Sequence, residues 1–147
     1  MLNEPEFLKI VEATPLVSID LILRNERKEI LLGRRANRPA QGMWFVPGGR
    51  IRKNERVNEA LRRITRRELG VELSEAKLIG VFDHFYPDNF LGAPGVNTHY
   101  VVLGMESSWP EGARAVADAQ HHELRWWSVA EIVASKEVHE NTKAYFR

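Results

Sequence analysis

Cysteine is absent from this 147-residue chain, which excludes disulfides and thiolate zinc sites. No apolar run approaches the ~20 residues needed to span a bilayer. The amino terminus also lacks a basic segment followed by an apolar stretch, so no secretory leader is expected. Neither sign of charge is in excess: 21 Lys and Arg stand against 20 Asp and Glu, a net charge of +1. Bulk nucleic-acid binding needs a strong basic surplus and is not expected. Internal repeats, low-complexity runs and linkers are missing too. What remains is one domain over residues 1–147, with 44% hydrophobic residues to fill one core. It is expected to be a cytoplasmic enzyme with a small-molecule substrate and neither a nucleic-acid nor a membrane partner.

The most informative stretch runs from Val46 to Val71, VPGGRIRKNERVNEALRRITRRELGV. It reads as a glycine-rich loop followed by an amphipathic helix. Asn54 is the expected N-cap and Gly70 the glycine that ends the helix. Val57, Ala60, Leu61 and Ile64 share one stripe, and at about 100° per residue Glu68 joins it. A carboxylate is therefore aimed inward at a helix C-terminus, where the helix dipole disfavours an anion. Two arrangements relieve that cost: an ion pair with one of the many arginines, or a divalent metal. The Gly48-Gly49 turn, with Arg50 and Arg52 beside a helix N-terminus, suits a metal-bound pyrophosphate.

The rest of the chain reads as alternating strands and polar loops. Residues 4–13 form a short helix, ended by Thr14-Pro15. Strands are expected over 16–24, 29–33, 44–46, 76–85, 98–105 and 124–127, with Ser128 capping a helix over 129–135. Asp20, on an otherwise apolar strand, is either paired with an arginine or a ligand. His84 sits in an aromatic cluster, as a packing residue or as a catalyst. Tyr100, a strand tyrosine, can be core. Composition does not rank His121 against His122 as a proton acceptor near neutrality, and His139 has no evident partner. The elements fit one α/β sandwich.

Gly49, Glu55, Arg63, Gly70 and Val71 match the spacing of the Nudix hydrolase box: glycine, five residues, glutamate, seven residues, arginine-glutamate, then a terminal glycine and aliphatic. Ile64 and Arg67 stand where the box carries acids, and Glu68 is what remains of the acidic cluster. The segments TPLVSIDLIL, GRRANRPAQGMWFVPGGR, HFYPDNF, THYVVLG and QHHELRWW resemble the GDP-mannose mannosyl hydrolases, a divergent Nudix branch with this reduced box. The resemblance runs from about Thr14 to Phe146.

It implies a Nudix α/β/α sandwich with a mixed β-sheet, and hydrolysis of GDP-mannose, or GDP-glucose, to GDP and free sugar. It implies Mg²⁺, or Mn²⁺, held by the Gly48 carbonyl, Glu68 and Gln120. Arg35, Arg50 and His84 would contact the diphosphate, Tyr100 would donate to it, and Asp20 would belong to the nucleotide-sugar site. His121 would be the general base and His122 a bystander. A homodimer is implied, with the amino-terminal arm packing either on a partner or on its own chain. The rival expectations are P–O cleavage by an ordinary Nudix pyrophosphatase and a nucleotide-sugar sensor without turnover.

Overall fold

A computed structural model describes residues 2–117 and 121–147, with His121 and His122 described by their backbone alone. The elements run α1 (Glu4–Ala13), β1 (Leu16–Arg24), β2 (Ile30–Arg35), β3 (Trp44–Phe45), β4 (Gly48–Arg50), α2 (Val57–Leu69), β5 (Lys77–Tyr86), β6 (Thr98–Ser108), β7 (His121–Trp127), α3 (Val129–Ala134) and α4 (Glu140–Lys143), then a 3₁₀ turn over Ala144–Phe146. The strands form one mixed sheet ordered β3-β2-β1-β6-β5, with β4 added to β1 and β7 to β2. β1 and β6 are parallel, from Leu16 opposite Tyr100 to Arg24 opposite Ser108, and the other pairings are antiparallel.

β1 is buried on both faces, so it reads as a near-continuous apolar run. Ile19, Leu21 and Leu23 pack with Leu61, Ile64 and Leu69 of α2 on one side. Ile22 faces Trp44, Trp127 and Ile132 on the other. Each Leu or Ile so buried is worth about 1.5–3 kcal/mol. The sandwich is thus α2, sheet, then α3 with the carboxy-terminal turns. α1 packs on its own chain, with Val11, Phe7 and Leu8 against Leu16, Val96 and Phe90.

The central helix departs from expectation at its start. Asn54 is not its N-cap; it adopts φ 65°, inside a turn, and Arg56 is the capping position. Asn tolerates this left-handed conformation because its short side chain bonds locally. The helix begins at Val57, which is exposed rather than on the buried stripe, whereas Ala60, Leu61, Ile64 and Glu68 are buried as expected. Gly70 does end the helix, at φ 73°. β7 reaches back to His121, three residues earlier than the expected strand, because it pairs along β2 as far as Arg35.

Candidate active site

The glycine turn is held as a strand. Gly48 lies opposite Asp20, Gly49 opposite Ile19 and Arg50 opposite Ser18. A Cβ at Gly48 would collide with the Ile19 carbonyl and lie 3.1 Å from Asp20 Oδ1, so only glycine admits this approach. The loop is then clamped onto α2. Arg63 Nε donates to Glu55 Oε2 at 2.6 Å, and its Nη2 donates to Glu55 Oε1 at 2.9 Å and to the Arg50 carbonyl at 2.8 Å. The Arg63 hydrogen bond holds the Glu55 carboxyl down to about 2, while burial opposes it. Glu68 also stabilises the charged guanidinium through its field, a weaker effect than Glu55 exerts.

Beside this clamp lies a cavity of about 290 Å³. Asp20, Arg35, Gly48, Arg50, Glu68, His84 and Tyr100, all expected at the site, line it together. Gln120 lies outside the described residues, as does the side chain of His121. The backbone of His121 is paired with Arg35, itself a lining residue. Phe7 of α1 stands under the Arg50 guanidinium at 4.5 Å from the ring centre, a cation–π contact. Arg35 Nε and Nη2 donate to the carbonyls of Asn37 and Arg38 at 3.3 Å, which ties the following loop to the site.

Burial sets the electrostatics. It raises the Asp20 carboxyl to about 7, against a lowering by its hydrogen bond from Tyr145 and by Arg35. Its hydrogen-bond partner is a tyrosine and not the arginine considered from sequence: Tyr145 Oη donates to Asp20 Oδ2 at 2.7 Å. His84 Nδ1 lies 3.9 Å from the same oxygen. Burial, then His139, lowers the His84 imidazole, so it is neutral near pH 7 and donates from one nitrogen. Burial raises Tyr100, opposed by Arg35 and Arg50, and keeps its hydroxyl protonated as a donor. His139, without a partner in the sequence reading, caps α4 by accepting from Asn141 N–H and stacks on Phe45 at 4.7 Å.

Sequence reasoning missed Phe7, Tyr86, Tyr145 and the lining role of Arg67. Arg67 carried a signal, since it occupies a box position; the tyrosines carried none. Ile64 lines the cavity beside Gly49, so a hydrocarbon fills one place of the box's acids. No group of three or more His, Asp and Glu residues able to hold a metal occurs among the described residues. Glu68 and Gly48 nevertheless line the same cavity, and a carboxylate with a backbone carbonyl would make an all-oxygen donor pair suited to a hard cation.

Residues 14–147 match the NUDIX domain. The chain belongs to the Nudix family. Nudix enzymes hydrolyse nucleoside diphosphate derivatives, in general with a divalent metal such as Mg²⁺. Among curated proteins, this Nudix chain is 39% identical over 123 residues to the low-salt glycan biosynthesis protein Agl8 of Haloferax volcanii, covering 83% of this chain and 76% of that one. It is 37% identical over 68 residues to the ADP-ribose pyrophosphatase of Methanocaldococcus jannaschii, covering 46% of this chain and 40% of that one. Among solved structures, the MutT NUDIX hydrolase from Burkholderia pseudomallei superposes with a TM-score of 0.72 at 27% identity, over 90% of this chain and 96% of that one. The MutT protein from Methanosarcina mazei Go1 superposes at 0.75 with 21% identity, over 91% and 92% of the two chains, and shares the fold. No helix among the described residues is long and apolar enough to cross a membrane.

Proposed function

We propose that this Nudix hydrolase cleaves GDP-mannose, and GDP-glucose as a second substrate, at the sugar's anomeric C–O bond, releasing GDP and the free sugar with inversion. One observation carries the reading. Arg35, Arg50, His84 and Tyr100 line one cavity, whose box acids at 64 and 67 are replaced by Ile and Arg. Such a site is built to hold a diphosphate, while P–O cleavage at the usual box relies on a glutamate-rich metal cluster.

Arg35 and Arg50 take the charge that accumulates on GDP as it departs. His84 and Tyr100 add hydrogen bonds to the same oxygens, and Asp20 orients the nucleotide sugar. His121 accepts the proton of the attacking water, on the opposite face of the sugar. Glu68, the Gly48 carbonyl and Gln120 would hold Mg²⁺, or Mn²⁺ in its place. When bound, that ion supplies Lewis-acid neutralisation of the diphosphate.

Hydrolysis in ¹⁸O-water decides the reaction. Label in the hexose, with turnover lost to a chelator and restored by Mg²⁺, is the expected result. Label in phosphate, giving GMP and sugar phosphate, would establish the pyrophosphatase reading, which the resemblance to the Methanocaldococcus enzyme favours. Ligand binding with no turnover in either metal would leave a sensor. A homodimer in the cytoplasm belongs to the same proposal, and sedimentation equilibrium at twice the chain mass is its check.

A further inference from the structure

We propose that Tyr145, at the far end of the chain, is the positioning residue of the active site, fixing the Asp20 carboxyl for the nucleotide sugar through a direct hydrogen bond. The inference rests on the role proposed above for Asp20.

The contact joins residues 125 apart in sequence: Tyr145 Oη to Asp20 Oδ2, at 2.7 Å. Asp20 projects from β1 with a fifth of its side chain still facing the cavity, so its rotamer is not set by packing on every side. Tyr145, by contrast, has a built seat. Its ring lies edge-on to Phe82 at 5.1 Å and to His84 at 6.2 Å. Gly104, on the strand between, leaves the space: a Cβ there would stand 3.2 Å from Tyr145 Cε1 and 2.8 Å from Phe82 Cε2.

The segment that delivers the tyrosine is itself fixed. Val46 N–H donates to Thr142 Oγ1 at 3.1 Å, and His139 N–H donates to the Trp44 carbonyl at 3.1 Å. A rigid phenol thus aims one donor at one oxygen of Asp20 and leaves the other oxygen toward the Gly48 side of the cavity. A group held by its neighbour in this way keeps the geometry that catalysis needs at sub-ångström tolerance. Tyr145 is not among the cavity-lining residues; its hydroxyl reaches the site through Asp20, and its ring touches the site at His84.

The test is a double-mutant cycle on GDP-mannose hydrolysis, with rates normalised to the stoichiometry of GDP binding measured by calorimetry. Tyr145→Phe keeps the ring contacts and removes the donor. We expect it to lower kcat about tenfold, the worth of one lost hydrogen bond near the reacting groups, with KM changed less than kcat. In an Asp20→Ala background the same substitution should change kcat less than about twofold, because its target is gone. Equal losses in both backgrounds would make Tyr145 a fold-supporting residue and overturn the proposal; normalisation to bound GDP removes any loss from unfolded protein. An Asp20→Ala enzyme with wild-type kcat would also overturn it, while leaving the proposed reaction intact. A wild-type chain that hydrolyses no GDP-sugar would overturn the reaction and this role together.

Discussion

Asp20 shows how burial of one carboxyl in a cavity wall weighs on the fold. Its pKa of about 7 in the folded chain exceeds the 3.8 of an unperturbed aspartate, chiefly through burial. The native state therefore binds a proton more tightly than the unfolded chain, and stability falls as pH rises from about 4 to 7, then levels off. The corresponding penalty is about 4 kcal/mol at most. It is reduced by the water that reaches the exposed fifth of the side chain. Asp20→Asn removes this titration and keeps an acceptor for Tyr145. The variant should match the wild type in thermal midpoint near pH 4 and exceed it at pH 8, without metal. A midpoint difference that does not grow with pH between those values would contradict the assignment. A neutral residue at 20 would be the more stable choice above about pH 7.

At the scale of elements, the glycine turn and α2 act as one unit because Arg63 bridges them. Its guanidinium satisfies both oxygens of Glu55 and the Arg50 carbonyl, and Arg52 N–H donates to Glu55 Oε1 at 3.0 Å. Both side chains are mostly buried, at 23% and 13% exposure, so the pair is not a screened surface contact. Arg63→Ala strips three hydrogen bonds and strands the Glu55 charge. We expect a loss of about 2–4 kcal/mol in urea unfolding, and weaker GDP binding, since the Arg50 backbone loses its anchor. Unchanged GDP affinity would show that the turn holds its shape without the clamp. The Glu55 pKa, depressed to about 2, makes this contribution complete above the ordinary glutamate range and lost only as pH falls toward 2. Acid thus acts on the two carboxyls in opposite senses, protonating Asp20 at little cost and dismantling the clamp only when strong.

Across the whole molecule, the last turns of the chain brace the strand beside the site. Residues 137–146 run past β3: Trp44 N–H donates to the Glu137 carbonyl, His139 stacks on Phe45, and Thr142 accepts from Val46. Thr142 is almost fully buried. Thr142→Val preserves shape and leaves the Val46 N–H without an acceptor, so stability should drop by about 1–3 kcal/mol. The measurement is the midpoint of chemical unfolding, read against kcat for GDP-mannose. A midpoint shift with no change in kcat would confine Thr142 to the fold, whereas a joint loss would tie the terminal segment to the site.

Local chemistry determined much of this protein in advance. Periodicity placed β1 and α1 at their observed limits, and the stripe on α2 put Glu68 indoors, because burial of one helical face follows from spacing alone. The spacing of Gly49, Glu55, Arg63 and Gly70 encoded a clamp that the fold then formed. Tertiary structure decided what spacing does not carry. Asn54 lost the cap position to Arg56 because its left-handed backbone sets it in a turn before the helix. Asp20 took its hydrogen bond from Tyr145, on the opposite end of the chain, since partners across a sheet are set by topology and not by neighbourhood in sequence. Its raised pKa followed for the same reason: desolvation is a property of the packed cavity, and no residue type or pattern along β1 contains it.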